Sequence, residues 1–268
     1  MMKAILVVIA LLLLCGHAQA GVAIRATGTY DSSTADVNPV IPAGAVSGDM
    51  MLCFYGSKPY NGAPTIDQGW TDLGNATDGT VAAGVDVGSM QTRVFYKIHT
   101  GTEVDPFVNN TTNNVAAAVI IVFQKDAGQN WVTPVGAGGG DATAGTGFSV
   151  TASSDVGHTS GDMLVGFASM RSDAATQSAI TITATGLTVG TFTESPTTDL
   201  ATTLGGDMAM SGGYVAATAG TSSAAPVYAS TLAAAHTGSA FMVRLRQEAA
   251  AAGADAFPHI GGGYYPGM

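Results

Sequence analysis

The chain has 268 residues, of which 46% are apolar, 10% are charged and 36 are glycines. That is enough apolar material for a buried core and too much for a disordered polypeptide. Nine Lys plus Arg against 19 Asp plus Glu give a net charge of −10 with no basic run; nucleic acid is therefore not expected as a partner, because affinity for a phosphate backbone comes from clustered cations, and two cysteines rule out a multi-bridge disulfide scaffold.

The first predicted element is an export signal in residues 1–20. Lys3 is followed by the apolar run Ala4 to Leu14, and Ala18-Gln19-Ala20 forms a small-x-small cleavage site before Gly21. The run is shorter than the ~20 residues a bilayer-crossing helix needs, so no permanent membrane anchor is expected. Leu14 stands where a lipidated Cys15 would want a small residue. Cleavage near Ala20 removes Cys15 and leaves Cys53 as a lone thiol, which reads as a small buried hydrophobe. The expected address is periplasmic or extracellular, with association to a virion as one form of it.

Beyond the signal, residues 21–247 read as β-structure. Met50 to Tyr55, Thr92 to Ile98, Val115 to Phe123, Met163 to Ala168, Ile180 to Thr185 and Phe241 to Arg246 have strand character between Gly, Asp, Asn and Pro punctuation. Ile180, Ile182 and Ala184 alternate with threonines, and Phe241, Val243 and Leu245 alternate with Met242, Arg244 and Arg246. That is the period of a half-buried strand, and it places the threonine and arginine faces in water. Val115 to Phe123 is apolar on both faces, as in the middle of a sandwich. The Gly, Ala and Thr stretch Val132 to Gly147, including Gly136 to Asp141, reads as a flexible connector, because no Lys-Ser/Thr follows to make a phosphate loop.

An internal echo divides this region. Ser47-Gly48-Asp49-Met50 with Phe54 returns as Ser160-Gly161-Asp162-Met163 with Phe167. Gly69-Trp70-Thr71, Tyr96, Thr100-Gly101-Thr102 and Pro106-Phe107-Val108 are answered in order by Gly186-Leu187-Thr188, Tyr214, Ala219-Gly220-Thr221 and Pro226-Val227-Tyr228. The expected fold is an all-β, antiparallel sandwich, jelly-roll-like, built from two pseudo-repeats of four to five strands, at about residues 45–125 and 158–247. Residues 248–268 form an Ala/Gly-rich tail.

No catalytic constellation emerges. The pattern Gly-x-Ser-x-Gly is absent, and His99, His158, His236 and His259 have no metal-ligand spacing, so they read as solvated or packed imidazoles. Glu103 and Glu194 read as turn caps; a hydrolase with an unrecognised site would have to use them. No metal or other cofactor is expected. Asp72, Asp78 and Asp86 in one Gly-containing loop leave a structural calcium ion as the minority alternative. Trp70 after Gly69 reads as core. Tyr60, in the turn Lys58-Pro59-Tyr60-Asn61-Gly62, and Trp131 are the candidate binding aromatics for a glycan or protein. In the tail, Phe257, Tyr264 and Tyr265 are candidate docking anchors for a neighbouring subunit, set against simple terminal disorder.

Gly48-Asp49, Gly69-Trp70, Val94-Phe95-Tyr96-Lys97, Thr100-Gly101-Thr102-Glu103 and Arg244-Leu245-Arg246 together resemble a family of phage virion structural proteins, over about residues 39–247. The resemblance implies a jelly-roll-like sandwich in a tail-associated or head-decorating component, with no catalytic residue to carry over. One departure stands out: virion parts assemble in the cytoplasm, whereas an export signal removes the chain from it. The expected function is a non-enzymatic structural or surface-decoration protein of a virion or cell surface, a homo-oligomer or one subunit among virion or surface neighbours. The alternative is a secreted carbohydrate-binding module or adhesin.

Overall fold

Two antiparallel sheets collect the apolar runs in a computed structural model that describes residues 21–60, 62–78, 84, 88–110 and 114–250. The signal at 1–20 lies outside the described residues. In chain order the first half carries β1 (Ala23–Thr27), β2 (Asp31–Ser33), β3 (Met50–Lys58), β4 (Thr65–Ile66), β5 (Thr71–Thr77), β6 (Gln91–Ile98), β7 (Val108–Asn109) and β8 (Val115–Gln124). After β9 (Gln129–Trp131) come β10 (Val135–Thr151), β11 (His158–Thr159), β12 (Met163–Met170), β13 (Gln177–Thr183) and β14 (Leu187–Val189). The chain continues through β15 (Thr193–Glu194), β16 (Leu200–Thr202), β17 (Met208–Ser222), β18 (Val227–Leu245) and β19 (Gln247–Ala249).

The first sheet runs β1-β8-β3-β6-β5, with β2 also on β8. The second runs β10-β18-β12-β17-β11, with β13 on β18 and β14, β15 and β16 on β17. Among the described residues no helix occurs, so the all-β, antiparallel expectation holds. Between the sheets, Met50, Leu52 and Phe54 of β3 and Val119, Ile121 and Phe123 of β8 meet Val165 and Phe167 of β12 and Phe241 and Val243 of β18. Phe54 stacks on Phe167 with ring centroids 4.0 Å apart, a contact worth about 1 kcal/mol beyond the buried area.

Both outer faces are covered too, which explains why the central strands lack a polar face. Met51, Cys53 and Tyr55 of β3 and Ile120 and Val122 of β8 pack under Val37, Trp70 and Val108. Burial pushes the Cys53 thiol up, so it is an inert packing group. On the second sheet, Leu164, Ala168 and Met242 lie under Phe148, Val150, Ile180, Ile182 and Tyr228. These covering residues come from β13 and from the far halves of β10 and β18. The register of β10 on β18 shifts between Asp141 and Gly145 and again before Gly147, and such bulges bend a strand pair.

The two sheets share a pairing scheme. Met50 faces Phe123 and Ile98, and Met163 faces Leu245 and Ala216; two residues on, Leu52 faces Tyr96 and Val165 faces Tyr214. The Gly-Asp turns match as well. Gly48 and Gly161 have φ of 93° and 92°, a region open to glycine, and the buried Asp49 and Asp162 accept from Val46 N and Thr159 N at 2.9 and 2.8 Å. Arg25 holds the first carboxylate (Nε–Oδ2 2.6 Å) and Arg246 the second (Nη2–Oδ2 2.7 Å).

Three readings from the sequence are corrected. Val135–Thr151 is a strand, not a connector: its glycines let β10 lie close to β18 and β5, and a Cβ at Gly138 would fall 2.4 Å from Ala240 O and one at Gly140 2.2 Å from Thr77 O. The Met242–Arg244 face of β18 is buried, because the outer layer covers it; Arg244 donates to Val156 O and Gly157 O at 2.9 Å each. The Gly186-Leu187-Thr188 segment is out of step with Gly69-Trp70-Thr71. Thr71 pairs with Tyr96, but Tyr214 pairs with Thr193, while Leu187 pairs with Gly220.

Candidate functional site

The aromatic candidates do not converge. Trp131 packs against the inter-sheet core and its indole N–H donates to Gly48 O at 2.8 Å, just before β3. Tyr60 lies just past the other end of β3, half-buried, with its backbone N–H on Ser89 O at 3.0 Å. A nine-residue strand, about 30 Å long, separates the two. Phe257, Tyr264 and Tyr265 lie outside the described residues, as does Asp86. The remaining members of the acidic loop diverge: Asp72 pairs with Arg93, while Asp78 turns inward to Met90 N, Thr237 Oγ1 and Arg171. Among the described residues no three His, Cys, Asp or Glu side chains gather as metal ligands.

Other polar side chains fix turns. Glu103 accepts from Thr100 N, Thr100 Oγ1 and Gly101 N at 2.8, 2.7 and 3.1 Å. Burial alone would raise its pKa, but these hydrogen bonds outweigh it and hold the carboxyl at about 2. His158 is buried, neither ring nitrogen has a hydrogen-bond partner, and burial lowers its pKa. It opens β11, directly after the loop residue Gly157 that Arg244 and Arg246 tie to the end of β18, both guanidinium groups donating to Gly157 O at 2.9 Å.

The densest unspent chemistry lies where the edges of the two sheets meet, at β15 and β16. Glu194 on β15 pairs with Gly213 of β17, and Asp199 precedes Leu200, which pairs with Met210. Docking on one strand brings the two carboxyl groups together. Burial, then the hydrogen bond and charge of Asp199, push the Glu194 carboxyl up to about 7. Asp199 Oδ2 accepts from Gln177 N at 2.7 Å, and the Gln177 side chain meets Tyr228 Oη at 3.1 Å and Ser230 Oγ at 2.8 Å. Tyr30, from the turn between β1 and β2, brings its hydroxyl close enough for burial and the charge of Asp199 to raise its pKa. Thr27 and Ser195 close the seam with a 2.7 Å hydrogen bond between the sheets.

Beside this pair opens a cleft of about 250 Å³ lined by Gln177, Ser178, Ala179, Ile180, Phe192 and Glu194. Ala179 has φ of 51°, left-handed backbone that strains a residue with a Cβ, and such strain gathers at functional sites. A perturbed carboxyl in a cleft is a site candidate on physical grounds. Sequence reading named Glu194 but not its partners. The one signal was Glu194-Ser195-Pro196-Thr197-Thr198-Asp199, two acids across a proline turn, which is common in loops.

The carboxyl groups touch, so they leave no room for a sugar bond between them; glycosidic pairs stand about 5 Å or more apart. The arrangement can hold a proton or a cation. Comparison of the chain with protein-family models, with curated proteins and with solved structures returns no match.

Proposed function

We propose that the protein is a non-enzymatic structural component that builds or decorates a virion or cell surface, exported by cleavage near Ala20 and formed of two tandem units in a jelly-roll-like arrangement. The observation that carries this reading is the use of the polar side chains inside a frame buried on three levels. Asp49, Asp162, Glu103, Arg244, Arg246 and Trp131 all spend their hydrogen bonds on turns and loops. A frame of this kind supports a wall or spike, with recognition left to its loops and edges. The matching pairing schemes of the two sheets support the tandem reading.

Microscopy of secreted material beside purified virions or envelopes, probed with an antibody to the chain, tests it. Label on particles or envelopes, with a protein whose mass starts at Gly21, is the expected result. Label confined to the cytoplasm on a full-length chain overturns it. A carbohydrate-binding module or adhesin is the second reading, favoured by the cleft where Phe192 offers an aromatic face beside Glu194 and Gln177. Hits on a glycan array that vanish with Phe192→Ala would move the conclusion to it.

A further inference from the structure

We propose that His158 is an acid-sensitive latch on the second Gly-Asp turn: with a neutral imidazole β11 stays docked on β17, and protonation releases β11 together with the turn Thr159-Ser160-Gly161-Asp162. The latch lies at an edge. β11 stands at the end of the second sheet and is two residues long, with His158 opposite Ser222 and Thr159 opposite Thr221. His158 is 1% exposed, and neither ring nitrogen has a hydrogen-bond partner. A neutral imidazole so placed already leaves one N–H and one lone pair unmet; a second proton adds another N–H and a full charge with no acceptor in reach.

The charged groups around the ring are already committed. Asp155, in the loop before it, accepts from Gly157 N at 2.7 Å. Asp162, in the turn after it, is held by Arg246 Nε and Nη2 at 2.7 Å each and by Thr159 N at 2.8 Å. Arg244 and Arg246, at the end of β18, converge on Gly157 O, next to His158 in the chain. From β17 the facing residue is Ser222, which carries no charge. A charged imidazole would thus be a third cation beside two guanidinium groups in a space closed to water. Burial is the largest influence and lowers the pKa of His158, while the pull of Asp162 and Asp155 is opposed by Arg244 and Arg246. Below its ordinary value of 6.5 the ring therefore takes up a proton more readily with β11 released than docked, and acid favours the released form by up to about tenfold between pH 7.5 and 5.5.

The first turn lacks the device. The offset that aligns Ser47-Gly48-Asp49 with Ser160-Gly161-Asp162 puts Ala45 in the place of His158. His99, whose backbone meets Gly48 and Asp49, has its ring engaged by Gly101 N at 3.1 Å and by Glu103 at 3.4 Å, so a proton there finds a carboxylate.

Hydrogen exchange of the purified chain, followed residue by residue at pH 7.5 and 5.5 and corrected for the intrinsic effect of pH on each amide, tests the proposal. The amides of Thr159, Ser160, Gly161 and Asp162, all hydrogen-bonded in the docked form, should exchange up to about tenfold faster at pH 5.5. Those of Val46, Gly48 and Asp49 in the first turn should not. His158→Phe, which keeps the bulk and forfeits no hydrogen bond, should abolish the acceleration. An NMR titration of the His158 imidazole in the unaltered chain is the second measurement, and the ring should still be mostly neutral at pH 6.5. No acceleration at the second turn, an equal one at the first turn or in His158→Phe, or a ring at least half charged at pH 6.5 overturns the proposal.

Discussion

The first sheet hides its outer face under loops that carry Val37 and Trp70 and under Val108 of the two-residue strand β7, whereas the second hides its own under long strands, with β13 and the bent far halves of β10 and β18 laid over Leu164, Ala168 and Met242. Between the sheets the two halves look alike, down to the tyrosines at matching registers and the twin Gly-Asp turns. What differs lies outside that shared interior. The seam with Glu194, Asp199 and the strained Ala179 belongs to the segment from β13 to β16, the part of the second half that does not keep step with the first. The shared pairing scheme thus packs the interior of both sheets, and the candidate site sits where the sheets diverge.

The largest expected effect tests the shared interior. Phe167→Ala should cost about 3–5 kcal/mol in denaturant unfolding. Combined with Phe54→Ala the loss should fall short of the sum, because each substitution has already removed the stack; full additivity would show that the halves do not meet through these rings.

The twin turns should rank next. Asp162→Asn breaks a two-pronged pair with Arg246 and should cost about 3 kcal/mol. Asp49 meets Arg25 through a single close contact, so Asp49→Asn should cost about 1–2 kcal/mol. The opposite ranking would show that the second turn is not the tighter one.

On β10, Gly140→Ala should cost about 1–3 kcal/mol through overpacking against Thr77. Gly147, with nothing within 4 Å of its would-be Cβ, should accept alanine within about 0.5 kcal/mol. Equal effects would place β10 away from β5.

The smallest effects have opposite signs in the two halves. Glu103 falls from 4.5 to about 2 on folding, so it binds fewer protons folded than unfolded. Its contribution is complete above pH 4.5 and is lost as pH falls towards 2. Glu194 rises from 4.5 to about 7, so its contribution is complete below pH 4.5 and is lost as pH rises through 7. A profile of Tm against pH should flatten on the acid side in Glu103→Gln and on the neutral side in Glu194→Gln.

Much of the frame was legible because strand burial leaves a period. The alternation in Ile180 to Thr185 gave the right wet face, and the two-sided apolar run at Val115 to Phe123 gave a central strand. The same rule failed for Arg244, since a covering layer built from distant strands leaves no mark on the strand it covers. It failed for Gly136 to Asp141 because glycine signals flexibility when exposed and close approach when packed, and only the neighbours distinguish the two. The candidate site was least legible. Glu194, Asp199, Gln177 and Tyr30 are assembled by register on β17 and by an edge-to-edge contact between sheets, neither of which is written in local spacing.

The bend at Asp141 to Gly147 makes β10 and β18 members of two layers at once. Neither layer can peel away while the other keeps its strands, so unfolding should proceed as one cooperative transition. A pull applied at either end would then be shared by the second sheet and its covering layer instead of peeling one from the other.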